Sequence, residues 1–473
     1  MVFSSNIFVL YFLPIFLLVY HLAGKKYRNY VLLAASIFFY SWGAPKFVFV
    51  ILASTILDFY LVNQIYVSLT EKRRKLFLTL SVIINLGLLV YFKYVNFFVE
   101  NLNVFFEGVG IKQVSWTSVA LPIGISFYTF QTITYAVDVY RKTQAPLKKV
   151  TDYLLYIMSF PQMIAGPIVR YSAVADQITN RTEVIDDKLI GFYRFCLGLG
   201  KKVLIANILG EQADLIFDAD LTQISTTEAW IGMMAFTFQI YFDFSGYSDM
   251  AIGLGRIMGF HFPENFNYPY LSQSISEFWR RWHITLGSFM RDYLYIPLGG
   301  NRVSTKLRLY SNLWIVFLLS GLWHGSSWNF VLWGAYHGMF LVLDRLFLSN
   351  VLVRIGRVPA TIITLFIVML GWLFFRLERF NEVINYMAKL FSFEKMFQLD
   401  AIPAFGLVIL LAIIFSFCGA FNWVQLIEKK LFQLNQYSIV NHLTFLVISL
   451  IILLFSVSLI TASGFNPFIY YRF

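Results

Sequence analysis

The sequence predicts an all-α protein whose helices cross a lipid bilayer many times. Three observations carry this. The 473 residues are 58% hydrophobic and 19% aromatic, with only 13% charged, where a soluble domain carries about 25% charge. Mean hydropathy is +0.67. Apolar runs recur from one end of the chain to the other, with basic clusters between them. Inside a bilayer each backbone N–H and C=O needs a partner within its own segment, so such runs are read as helices.

The runs fall at residues 6–20, 30–41, 47–62, 76–97, 118–139, 189–209, 229–244, 313–322, 327–343, 360–375, 402–421 and 442–460. They imply about 10–12 spans, the shorter ones falling below the roughly 20 residues of a full crossing. Residues 8–20 lack a preceding basic segment and a small-residue cleavage site, so they are read as the first span and not as a signal peptide. The whole of 1–473 reads as one membrane-embedded domain, with 464–473 as a short tail.

The basic clusters set the orientation. Lys25, Lys26 and Arg28 follow the first run, Lys72 to Lys75 the third, and Arg141, Lys142, Lys148 and Lys149 the fifth. With alternating spans they share one side, which the positive-inside rule makes cytoplasmic, so the N-terminus is outside. Lys201, Lys202, residues 345–357, Lys429 and Lys430 fit cytoplasmic loops. Acidic residues 214–220 and the C-terminal Tyr-Tyr-Arg-Phe then fall outside. The net charge of +11 is explained by this topology, with attraction to anionic headgroups or to an anionic cytosolic substrate such as a coenzyme as an addition. Cys196 and Cys418 lie in apolar runs, show no metal spacing, and are not expected to form a disulfide.

Two regions depart from simple spanning. Residues 246–308 are too polar to span and too aromatic for a plain loop, which predicts interfacial amphipathic helices or re-entrant segments. Residues 160–167 carry Pro161, Gly166 and Pro167 in an apolar run, predicting a break at membrane depth.

Polar groups in apolar runs are costly, and so they are the candidates for chemistry. His324 lies in Leu322-Trp323-His324-Gly325 between two apolar stretches. An imidazole titrates near neutrality, so it can take a proton from a hydroxyl and return one to a leaving group. A structural histidine bonding a carbonyl is the plain alternative. His283, in Trp279-Arg280-Arg281-Trp282-His283, is a candidate second acid–base group or donor to a thioester. The tryptophans and arginines around it also suit an interfacial helix. His337 reads as structural, and His21, His261 and His442 as residues at span ends or loops. The six histidines show no zinc spacing. Asp243 and Asp249, in Tyr241-Phe242-Asp243-Phe244-Ser245-Gly246-Tyr247-Ser248-Asp249, are candidates to orient a histidine or an arginine, or to mark the cation path of a transporter or channel. Ser245 has no neighbouring base that spacing can identify. No phosphate loop or dinucleotide fingerprint is present.

Several segments together resemble a known family. Trp323-His324-Gly325, Trp333-Gly334 and His337-Gly338 resemble the membrane-bound O-acyltransferase family. Met1-Val2-Phe3-Ser4-Ser5-Asn6, Leu121 to Phe127, Ala165-Gly166-Pro167, Tyr241 to Asp249, Glu277 to His283 and Gly371 to Arg376 are similar to its bacterial AlgI-type branch. That branch includes alginate and peptidoglycan O-acetylation proteins, with the D-alanyl transfer protein as a further relative. The resemblance covers essentially the whole chain. It implies a bowl-like helical core in which funnels from the two sides meet near His324. His324 would be catalytic and His283 assisting. Trp323, Asp243, Ser245 and Tyr247 would contribute to the substrate path. The acyl donor would be cytosolic acetyl-CoA, with no tightly bound cofactor. A periplasmic partner of the SGNH-hydrolase type would place the acetyl group on an extracytoplasmic polysaccharide. Arg280, Arg281, Arg291, Arg302, Lys306 and Arg308 are suited to coenzyme phosphates, and equally to a positive-inside loop. The tail Phe468 to Phe473 resembles an aromatic C-terminal motif of acyl-transfer systems, which makes Tyr470 a candidate acyl carrier. An interfacial aromatic anchor would look the same.

Overall fold

A computed structural model describes residues 1–393, 401–432 and 438–466. Helices form all the regular structure among these residues, as the composition predicts. The chain divides into two compact units, Met1–Thr182 with Gly259–Phe262, and Glu183–Met258 with Pro263–Phe473.

In the first unit the helix over Ile7–Leu22 starts with a π-helical turn at Ile7–Phe12. Helices Arg28–Gly43, α1 (Val48–Val67), α2 (Glu71–Gly108) and α3 (Ile125–Tyr140) follow. The N-cap Thr70 accepts from the Arg73 amide, and Glu71 sits in the first turn where the helix dipole favours it. Between residues 118 and 124 the chain is not helical, so the fifth expected span is shorter than its apolar run. The predicted break after Phe160 is present. Helix Phe160–Met163 ends at irregular backbone around Gly166 (φ +103), and residues 161–169 are all buried. Protein surrounds this break, which is the condition for irregular backbone at depth. The carboxylate of Asp58 accepts from Tyr153 Oη at 2.6 Å, from Asn85 Nδ2 at 3.0 Å and from Ser81.

The second unit is organised by two long helices. One runs through α4 (Ile185–Gly200), a π-helical turn at Lys201–Ala206, and α5 (Asn207–Phe217). Lys201 and Lys202 are therefore inside a continuous helical path and not in the loop expected from their charge. The other is α6 (Thr226–Ile257), which starts with a capping box of Ser225 and Glu228. It runs on through Gly246–Ile257, a stretch that its polarity had placed in the irregular region. Glycines set the approach of the two helices. A Cβ added at Gly191, Gly198, Gly246 or Gly253 would lie 2.5–2.7 Å from a carbonyl oxygen of the facing helix. Small residues let membrane helices meet backbone to backbone in this way.

Downstream of α6 the polar, aromatic region forms short broken helices. They are α7 (Ile275–Arg281), α8 (Ile284–Phe289) and a π-helical turn at Met290–Tyr295. Long helices return with α9 (Lys306–His324), α10 (Trp328–Leu343), α11 (Arg357–Arg376), α12 (Phe405–Phe417) and α13 (Ile439–Ala462). Four helices, α1, α2, α11 and α13, are long and apolar enough to cross a membrane alone. Phe405–Ala420 and Asn422–Lys429 are apolar enough only as a pair and meet at 89°, the geometry of a broken span or of a re-entrant loop. Most of the other runs expected as spans form shorter or more polar helices.

Candidate active site

His324 is the last residue of α9, and Gly325 caps the helix in extended conformation. The chain re-enters α10 only three residues later. A Cβ at Gly321 would strike the Phe330 backbone, and one at Gly334 the Phe317 backbone, so α9 and α10 pack in close contact beside the histidine. The ring of His324 is 8% exposed. It meets Trp323 at 4.8 Å and, edge to face, Trp333 at 5.0 Å and Phe375 at 5.0 Å between ring centres. A small, partly open cavity borders it, walled by Ile240 and Phe244 of α6, Trp282, Trp333 of α10, and Trp372 and Phe375 of α11. Four segments far apart in sequence thus bring aromatic walls to one imidazole. Apolar walls of this kind lower the local polarity, which strengthens any charge-stabilising contact made there.

His283 lies on the break between α7 and α8, outside every candidate span. Its φ of +46° is left-handed, a conformation uncommon for a residue with a side chain. The ring is 1% exposed. It contacts Phe244 at 4.7 Å and Trp323 at 6.2 Å. Burial lowers its imidazole to about 3, so it is neutral at physiological pH. Its Nδ1 is 3.0 Å from Asn265 Oδ1. Trp323 therefore touches both histidines, and Phe244 links His283 to the cavity wall.

The other candidates fall elsewhere. Asp243 is buried, and its carboxylate pairs with Lys202 Nζ at 2.8 Å. Asp249 binds Arg194 at 2.8 Å and Lys201 at 2.6 Å, and the same Arg194 also holds Glu264. Asp249 thus does orient an arginine, while the partner of Asp243 is a lysine. Ser245 and Tyr247 are buried on α6, and Ser245 Oγ has no hydrogen-bond partner among the described residues. Arg281 pairs with Glu277 one turn back at 2.8 Å, while Arg280 is exposed. Arg291, Arg302, Lys306 and Arg308 are exposed as well, and Arg291 bonds Asp292. Tyr470 lies outside the described residues. His337 is fully buried behind Trp333 and Trp279 at 5.0 Å from each, a packed interior position. Among the described residues no cluster of histidine, cysteine, aspartate or glutamate suits a metal.

Sequence reasoning missed the cavity walls Trp282, Trp333, Trp372 and Phe375, although each lies in a segment that carries the resemblance. It also missed Asn265 and Lys202. Lys202 was read as a loop charge.

The family model described as membrane-bound O-acyltransferase matches residues 37–380. The chain is 45% identical over 394 residues to the probable alginate O-acetylase AlgI of Pseudomonas aeruginosa, covering 83% of this chain and 75% of that protein. It is 40% identical over 489 residues to the Pseudomonas putida protein of the same name, with both chains covered in full. It is 35% identical over 420 residues to the peptidoglycan O-acetyltransferase of Helicobacter pylori, covering 81% and 79%. The chain is thus an acyltransferase and belongs to the membrane-bound O-acyltransferase family, in its AlgI-type branch.

Proposed function

We propose that the protein takes an acetyl group from cytosolic acetyl-CoA and passes it across the inner membrane for O-acetylation of an extracytoplasmic polysaccharide, alginate or a similar exopolysaccharide. A periplasmic acetyltransferase of the SGNH type completes the transfer. The observation that carries this reading is the His324 imidazole facing a small aromatic cavity at a break between two helices. In this reading the acyl group crosses and the coenzyme stays on the cytosolic side. The names of the relatives favour a polysaccharide acceptor. Peptidoglycan is the second reading, favoured by the Helicobacter relative. A transporter is disfavoured, because Asp243 and Asp249 are both spent on cations of the protein itself.

Polarity along the second unit supports the direction. Arg376 binds Asp214 and Asp218 at one end. The other end of α11 starts at Arg357, next to Arg345 and Arg354. The basic end is cytoplasmic by the positive-inside rule. α13 starts near Asp186, where His442 Nε2 lies 3.5 Å from its carboxylate. It ends at Ala462, and Asn466 bonds Asn207 at 3.2 Å. One turn beyond Asn207, Gly210 packs on Gln239, beside the cavity residue Ile240. Tyr470 is four residues past Asn466, a reach of up to about 14 Å. In this proposal Tyr470 carries the acetyl group onward. In that step the thioester C–S bond breaks and an ester to the phenol oxygen forms. His324 takes the phenol proton and returns it to the departing thiol.

Purified protein in proteoliposomes, given acetyl-CoA labelled in the acetyl group, tests both parts. The expected result is label on the wild-type protein that Tyr470→Phe and His324→Gln each reduce to background. Full labelling of Tyr470→Phe would exclude the tyrosine carrier, and absence of coenzyme release from the wild type would exclude the donor.

A further inference from the structure

We propose that Asn265 is a positioning residue that holds His283 as the neutral imidazole with its proton on Nδ1 and its lone pair on Nε2. The inference rests on the reading above in one respect, that His283 belongs to the transfer machinery.

The hydrogen bonds around Asn265 fix its amide. Its Oδ1 faces the Thr285 amide at 3.4 Å, Thr285 Oγ1 at 2.8 Å and His283 Nδ1 at 3.0 Å. Its Nδ2 donates to Ser248 Oγ of α6 at 3.0 Å. A backbone N–H can only donate, so the oxygen and not the nitrogen of the amide must face Thr285. The same oxygen then faces His283, and an acceptor there requires the imidazole to bring the proton. Nδ1 is therefore the N–H and Nε2 carries the lone pair.

Backbone contacts hold this arrangement in place. The Ile284 amide donates to the Asn265 carbonyl at 2.9 Å, directly after the left-handed His283. Strained backbone of this kind persists where its surroundings over-determine it. Asn265, Thr285, Ser248 and His283 are each 4% exposed or less. On the far edge of the ring, His283 Nε2 is buried with no hydrogen-bond partner among the described residues. A buried lone pair without a donor is costly unless something that comes to the site supplies one. The side chain is thus set to accept a hydrogen bond there. The alternative in which His283 donates to a thioester oxygen needs the other tautomer, which Asn265 opposes.

The test is nitrogen NMR of the full-length protein labelled in its histidines, in lipid nanodiscs. His283→Gln identifies the His283 signals among the six histidines. The wild type is expected to show His283 neutral with the proton on Nδ1. Asn265→Asp keeps an acceptor in place and is expected to keep that tautomer. Asn265→Ala is expected to lose it, and to lower acetyl-CoA turnover about tenfold, the scale at which lost outer-shell partners act. A wild-type His283 protonated on Nε2 overturns the proposal without any variant having to fold. An unchanged tautomer in Asn265→Ala overturns it too. If the Nδ1 tautomer is present and the wild type turns over no acetyl-CoA, the positioning stands and the acetyl-transfer reading is what fails.

Discussion

At the scale of single residues, the sequence points to His324 because a histidine between apolar runs is costly and its neighbours match a family motif. It does not point to the Lys202–Asp243 pair. Both residues are charged and lie in apolar surroundings, but their partnership joins α6 to the π-helical turn between α4 and α5, and no spacing rule encodes it. Removing one member of a buried pair strands the other, which costs about 3–5 kcal/mol, whereas replacing both by apolar residues is often close to neutral. Lys202→Met alone is therefore expected to lower the melting temperature of the purified protein markedly. Lys202→Met with Asp243→Leu is expected to recover most of the loss. A double variant no more stable than the single one would show that the pair does not act as a unit.

At the scale of elements, the apolar runs located the helices but not their ends. The helix over α4, the π-helical turn and α5 covers 185–217, where the apolar run covered 189–209, because polarity ends a hydropathy run long before it ends a helix. Buried partners make the difference, as Asp214 with Arg376 shows. The glycines of α4 and α6 carried a message that a single sequence does not reveal, since their meaning depends on which helix faces them. Gly198→Leu and Gly253→Leu are each expected to push the helices apart and to unfold the protein at clearly lower temperature. Gly108→Leu, where an added Cβ meets nothing within 4 Å, is expected to leave the melting temperature close to that of the wild type. Equal effects at the three positions would count against close backbone packing.

At the scale of the whole molecule, the class of the chain was fully legible, because 13% charge leaves lipid as the main solvent. The site was legible in part. The histidines stood out, while the aromatic chamber required α6, α10 and α11 to be brought together. Orientation can be read with single cysteines in a Cys418→Ser background, since Cys196 is buried. Arg354→Cys is expected to react with an impermeant thiol reagent only from the cytoplasmic side, and Asp220→Cys only from outside. Reaction of both from one side would overturn the assigned direction of transfer. The central claim is that His324 performs the chemistry, and release of free coenzyme from acetyl-CoA by purified His324→Gln tests it most directly. The account predicts a loss of about 10²–10⁴-fold against the wild type, with the melting temperature retained. Turnover at the wild-type rate in a folded His324→Gln protein would contradict it.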